Sequence, residues 1–262
     1  MLIEGQTVLE QAVCVCRDHG DRLCNVHVAI IPPSEFYGSP VAAKVSFVEK
    51  VRALTRAGIK VTSVTPIGWR DSQLDKFSHI LEQRPTSEAK IKQRIMARGA
   101  LDLEMCYHVG SDIDSVAVAC WRLLDAFRER IVRIVLFGAR GTVAGSLKKI
   151  LVAFPIAELV EIDVGSSLPA PQLGDAIISA MGGGQQVPHI FLERSPVVVV
   201  DAGFYVPSEA PWQSLGDVPR HYYPLLPAVT PVPGGVGPFQ LATLIENILH
   251  SRGIEWSWGL RL

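Results

Sequence analysis

The segment Val26–Ile31 is a nearly unbroken run of β-branched and small apolar residues, read as a strand buried on both faces and closed by Pro32-Pro33. Apolar positions at helical spacing flank it. Thr7–His19 places Val8, Ala12, Val13 and Cys16 at such spacing, and about Pro40–Ala57 reads as a helix capped by Gly58. Lys60–Val64 is the next strand. The spacing of Leu74, Phe77 and Leu81 predicts a helix over Asp71–Glu82, followed by a more polar one over Ser87–Arg98. Strict alternation from Leu101 to Val109 predicts a half-exposed strand. An apolar helix, Ser115–Arg130, then leads into strand Val132–Phe137, a glycine turn, helix Val143–Phe154, and strands Leu159–Val164, Ala176–Met181 and Val197–Asp201. A last helix, Pro238–His250, follows a Pro/Gly-rich loop. Strands alternating with helices at this spacing imply parallel sheets covered by helices, so the expected class is α/β in two lobes. Residues 1–125, with 238–262 packing back, are expected to form one lobe, and 126–237 the other, a Rossmann-type dinucleotide-binding domain.

Composition excludes more than it selects. A chain of 262 residues, 48% hydrophobic and 19% charged, is too apolar for disorder and long enough for a sizeable core. A net charge of -1 gives no electrostatic reason to expect nucleic acid or an anionic membrane as partner. No apolar run approaches the ~20 residues of a membrane span, and no leader peptide is visible, so a cytoplasmic location is expected. The five cysteines, at 14, 16, 24, 106 and 120, are odd in number and lack zinc-site spacing. They read as reduced thiols packed as small hydrophobes, and no metal site is expected. His27 reads as a core histidine. Neither a G-x-S-x-G elbow nor a phosphate-binding G-x-x-x-x-G-K is present.

The glycine turn carries the first functional signal. Gly138, Gly141 and Gly145 lie between a buried strand and a helix, where a cofactor phosphate can approach the backbone and meet the N–H groups of a helix terminus. The spacing differs from G-x-G-x-x-G. The next strand ends near Asp163, 18 residues beyond Gly145, about where an acidic side chain grips a ribose 2′-hydroxyl. A carboxylate there repels a 2′-phosphate and favours NAD over NADP, whereas Arg140 in the turn is placed to attract one.

Two later segments, Gly216-Asp-Val218 and Thr230-Pro-Val-Pro-Gly-Gly-Val-Gly-Pro238, resemble the closing motifs of the bifunctional methylenetetrahydrofolate dehydrogenase/cyclohydrolase family. Asp175–Gly182, Val197–Gly203, Arg140–Gly145 and the opening Ile3-Glu-Gly5 resemble other segments of it, so the resemblance is dense after residue 130 and thin before. It implies two α/β lobes around a cleft, a homodimer, a folate-type substrate, and oxidation of 5,10-methylenetetrahydrofolate with NAD or NADP, with hydrolysis of the methenyl product in many members. It further implies cofactor contacts from Gly138, Arg140, Gly141, Gly145, Asp163, Ala180, Gly182 and Thr230. Pro231, Pro233, Gly234 and Gly235 would then close over the nicotinamide and substrate.

The family's chemistry rests on a Tyr-x-x-x-Lys pair, a Gln in Q-L-P and an Asp in D-V-D-G. Lys50 lies eight residues before Gly58-Ile-Lys60, the family's spacing for its lysine, which steers proton transfer. The tyrosine position then falls on Ser46, and Tyr37 is the candidate replacement. Gln83, in Gln83-Arg-Pro85, is one candidate glutamine, although it ends a predicted helix. Tyr107 and His108 occupy the place given by strand order. The D-V-D-G aspartate is echoed by Glu104 in Asp102-Leu-Glu104, or by Asp112-Ile-Asp114. The rival reading is a relative that has lost this chemistry and binds folate, pterin or nucleotide, or acts on another one-carbon substrate.

Overall fold

The computed structural model describes residues 1–33, 40–65, 69–83, 89–106, 113–152 and 158–260. Tyr37, Tyr107, His108 and Asp112 lie outside them. Two compact units result, one of residues 9–111 and 241–257, the other of 1–8, 112–240 and 258–262.

The first unit holds α1 (Gln6–Asp18) from Leu9 onward, the short α2 (Gly20–Leu23), β1 (His27–Ile31), α3 (Pro40–Arg56), β2 (Lys60–Ser63), α4 (Asp71–Leu74), β3 (His79–Glu82), α5 (Ala89–Met96) and β4 (Leu101–Asp102). Its strands pair in parallel in the order β2-β1-β3-β4. All five residues of β1 are buried, as its nearly unbroken apolar run requires. Helix α3 ends as expected: Gly58 takes φ +80, and the Ile59 N–H reaches back to the Leu54 carbonyl, an arrangement that satisfies the last turn. His27 is buried in β1, with its Nε2 2.7 Å from the Thr62 hydroxyl.

Two expected elements are corrected here. The predicted helix Asp71–Glu82 is a single turn followed by strand β3, paired with β1 from Val28↔His79 to Ile31↔Glu82. Leu74, Phe77 and Leu81 fit a helical period, but Ile80 is equally buried, and a strand covered on both faces shows no alternation to betray it. Of the predicted strand Leu101–Val109, the described residues 101–106 are extended as a strand only at Leu101–Asp102, after which Leu103 and Glu104 turn; residues 107–109 lie outside the described residues.

The second unit holds α6 (Ser115–Asp125), a 3-10 turn (Arg128–Arg130), β5 (Arg133–Phe137), α7 (Thr142–Leu151), β6 (Glu158–Ile162), β7 (Asp175–Ser179), α8 (His189–Glu193), β8 (Val198–Asp201) and a second 3-10 turn (Arg220–Leu225). Helix α9 (Val236–Ser251) is divided between the units after Gln240. The sheet is again fully parallel, in the order β6-β5-β7-β8, with α6 packed on α7 and β8. Phe137, Ile177, Phe191 and Val199 fill one side of it. The predicted helix Ser115–Arg130 stops at Asp125 and finishes in the 3-10 turn.

At the start of β5 and β7, Arg133 and Asp175 face each other in register and form a two-pronged pair, Nε–Oδ1 and Nη2–Oδ2 both 2.7 Å, with both side chains almost fully buried. Two charges removed from water are tolerable only because each satisfies the other. Arg133→Met should therefore lower unfolding free energy by about 3–5 kcal/mol in urea, and adding Asp175→Leu should recover most of the loss. A single variant as stable as wild type would contradict this.

Candidate cofactor and folate sites

In an open parallel sheet, ligands bind beyond the carboxyl ends of the strands where the strand order reverses. In the second unit that point lies between β5 and β7, and the glycine turn sits on it. Gly138 follows β5 with φ +80, and a Cβ there would stand 2.8 Å from the Ala180 carbonyl oxygen beyond β7. Gly141 precedes α7 in extended conformation, and no side chain caps the helix, so its first-turn N–H groups are left to an external acceptor. Gly145 lies within α7, and nothing stands within 4 Å of where its Cβ would be. Asp163, just past β6, accepts the N–H of Arg140 at 2.9 Å and of Val164 at 2.8 Å. These donors, with the Arg140 charge, hold its carboxyl below its ordinary range. The Arg140 guanidinium is 3.9 Å away and largely exposed.

Two buried carboxylates organise the loops beyond β7 and β8. Asp217 accepts the Ser179 hydroxyl at 2.6 Å and the N–H groups of Met181 and Gly182 at 2.9 and 3.0 Å. Asp201 accepts the N–H groups of Gly203, Asp217 and Val218. Burial, then the neighbouring Asp217, pushes Asp201 up to about 7 despite those donors. Thr230 is fully buried, and its Oγ1 accepts the Asp201 N–H at 2.7 Å. Beyond it, the Gly5 N–H donates to the Gly234 carbonyl, and the Val232 N–H donates to the Tyr223 hydroxyl. A Cβ on Gly235 would lie 2.5 Å from the Pro231 carbonyl oxygen, and Gly234 takes φ +105, which together account for the glycine pair in this loop. Pro231 is buried and Pro233 exposed.

The reversal in the first unit falls between β1 and β3. Gln83 follows β3 directly and donates its N–H to the Ile31 carbonyl at the end of β1. A glutamine expected at a helix end is thus one placed after a strand. Its side-chain oxygen accepts the Ser46 hydroxyl at 3.1 Å. One helical turn on, Lys50 is 3% exposed, and its Nζ meets the Glu104 carboxylate at 2.6 Å, just beyond β4. Lys50, Glu104, Ser46 and Gln83 are therefore linked through one face of α3. Asp114 instead caps α6 by accepting the Val116 N–H, so Asp102-Leu-Glu104 is the acidic segment at Lys50.

In the sequence Ser46 stands only where the resemblance implies a tyrosine, and Asp201 and Asp217 stand only within family-like segments. A buried-strand aspartate in Val197–Gly203 facing a second one in Gly216-Asp-Val218 was a usable signal for the latter pair. None of the five cysteines forms a disulfide; burial raises Cys16 and Cys120 to about 12, so those two are inert packing thiols, whereas Cys14 and Cys24 are exposed. Among the described residues no group of His, Cys, Asp and Glu is placed to hold a metal ion.

A parallel sheet with a glycine turn at its reversal, an uncapped helix start and a carboxylate past the next strand defines an NAD(P)-binding domain. Residues 133–255 match the family described as tetrahydrofolate dehydrogenase/cyclohydrolase, NAD(P)-binding domain. The bifunctional protein FolD 1 of Acinetobacter baylyi is 33% identical over 82 residues, which span 30% of this chain and 27% of that relative. The bifunctional FolD of Campylobacter jejuni superimposes with a TM-score of 0.73 at 20% identity, covering 97% of this chain and 98% of that one. The Trypanosoma brucei enzyme, solved with NADP and an inhibitor, gives 0.71 at 20% identity over 97% of both chains. These structural likenesses extend the shared fold over the first unit as well.

Gly138→Ala should weaken NADH binding at least tenfold in a fluorescence titration, since its Cβ has no space and its φ suits only glycine. Unchanged affinity would contradict this reading of the turn. Because the folded-state value of Asp201 is raised, its stabilising effect is complete below the ordinary 3.8 and is lost as pH rises through about 7. The melting-temperature advantage of wild type over Asp201→Asn should thus shrink from pH 4 to 8, and a difference independent of pH would refute it.

Proposed function

We propose that this protein oxidises 5,10-methylenetetrahydrofolate to 5,10-methenyltetrahydrofolate with NAD(P), NAD being favoured, as a cytoplasmic homodimer. The observation that carries the reading is the linkage of Lys50, Glu104, Ser46 and Gln83 at the strand ends of one unit, in a chain whose other unit binds NAD(P).

The division of labour follows. When bound, the nicotinamide accepts the hydride leaving the methylene carbon. Gly138, Gly141 and Gly145 let its pyrophosphate approach the α7 terminus, and Asp163 takes the ribose 2′-hydroxyl. Ala180, Gly182 and Thr230 border the nicotinamide side, and Pro231, Pro233, Gly234 and Gly235 form the loop over it. Arg140, exposed beside Asp163, favours a 2′-phosphate. Lys50, fixed by Glu104 and shielded from water, directs its remaining N–H donors at the folate's reacting centre, and Gln83 orients the ring. Large exposed apolar side chains, Trp212 and Leu225, suit a subunit contact.

A second reading, a folate- or pterin-binding relative without turnover, is favoured by Ser46, a hydroxyl engaged with Gln83 where the resemblance implies an aromatic ring. Absorbance at 340 nm with methylenetetrahydrofolate decides between them. Wild type should turn over, with Lys50→Ala reduced at least a hundredfold, in keeping with loss of the group that holds the folate's reacting centre in place for hydride transfer. No turnover together with no folate-induced rise in melting temperature would sink the proposal, whereas a rise without turnover would select the second reading. In the same assay Asp163→Asn should shift the kcat/KM ratio at least tenfold toward NADP, and an unmoved ratio would remove Asp163 from cofactor choice.

A further inference from the structure

Beneath the Lys50 cluster lies a second ionic group. Lys92, on α5, reaches the ends of both β3 and β4: its Nζ is 3.1 Å from Glu82 and 2.6 Å from Asp102. Both carboxylates are buried, and Lys92 is itself only 15% exposed. Burial alone would disfavour the ammonium, but Asp102 and Glu82 outweigh it and raise Lys92 above its ordinary value. Ile91 and Ile95, flanking Lys92 on the helix, pack against Ile80 of β3, so α5 delivers the charge to a fixed place.

Each anchor leads directly to a residue of the proposed site. Glu82 is followed by Gln83, and β3 ends there. Asp102 uses its other oxygen, Oδ1, to accept the Glu104 N–H at 3.1 Å, and Glu104 in turn binds Lys50. β3 and β4 are joined in register only at His79↔Leu101 and Ile80↔Asp102, with the Leu103 N–H donating to the Ile80 carbonyl, so backbone pairing stops short of Gln83 and Glu104. Beyond it, two buried carboxylates repel each other unless a cation stands between them.

We infer that Lys92 is a positioning residue, the clamp that holds the β3 and β4 ends together and so sets the placement of Gln83 and Glu104 at Lys50. The inference rests on the proposed folate chemistry. It acts through the backbone of the two loops and touches neither substrate nor cofactor.

The test compares Lys92→Met, Lys92→Arg and the double variant Lys92→Met with Glu82→Gln, which removes one carboxylate along with the ammonium. Lys92→Met should lower kcat at least tenfold and leave the KM for NAD(P) unchanged. Lys92→Arg should retain part of the rate, and the double variant should regain most of it, because only one carboxylate is then left at the strand ends. A Lys92→Met kcat within twofold of wild type would overturn the clamp, as would a double variant that melts like wild type yet stays as slow as the single one. Absence of wild-type turnover would sink the functional reading alone. The clamp is then decided by amine-reactive labelling, in which Lys50 should react at least tenfold faster in the double variant's parent, Lys92→Met, with exposed Lys44 as the internal control. Unchanged Lys50 labelling would overturn it.

Discussion

The buried ion pair between Lys50 and Glu104 is the constraint around which the first unit is built. Neither charge is tolerable alone at 3% and 7% side-chain exposure, and each makes the other admissible. The pair obliges α3 to lie where its Lys50 face meets the turn after β4. That placement brings Ser46, one turn earlier, against Gln83 after β3. Hydrophobic burial alone would favour apolar residues at these positions, since a buried pair is seldom a net source of stability. Its presence at the carboxyl ends of the strands is what marks the place as a site.

The two units share one plan, a parallel sheet whose order runs second, first, third, fourth. In each, the reversal separates the first and third strands and opens a place where loops diverge. The second unit fills its reversal with backbone: Gly138 pressed against Ala180, and the uncapped start of α7. The first fills its own with side chains, Gln83 beside Ile31 and the α3 face above. Backbone N–H groups suit the phosphates of a dinucleotide, whereas an ammonium and an amide suit the polar ring of a folate. Beneath the second site, Asp201 and Asp217 tie together the loops after β7 and β8 through backbone N–H donors and the Ser179 hydroxyl, a tight arrangement because a carboxylate with several aimed donors tolerates little displacement.

Much of this was legible in the sequence. Nearly unbroken apolar runs such as Val26–Ile31 and Ile134–Phe137 identify strands of a covered parallel sheet, and Thr230–Pro238 with the glycine turn identifies the cofactor unit. What failed did so where periodicity is ambiguous. His79–Glu82 is four residues, buried on both faces, preceded by Leu74 and Phe77 at helical spacing, so only pairing with β1 distinguishes strand from helix. That one misreading also hid the standing of Gln83 as a residue following a strand. Glu104 was obscured in the same way, by an alternation that continues past the two residues that pair. Lys92 carries no local signal at all, because its partners Glu82 and Asp102 lie ten residues before and after it and meet only through the sheet.

The claim at the centre is that Lys50 and Glu104 serve chemistry and not stability, and removing both together separates the two. Lys50→Met with Glu104→Leu leaves no orphaned charge, so the double variant should melt near the wild-type temperature and bind NADH normally while losing methylenetetrahydrofolate-dependent reduction of the cofactor at 340 nm. A double variant that folds and still turns over at the wild-type rate would contradict the account and leave the pair as a structural feature.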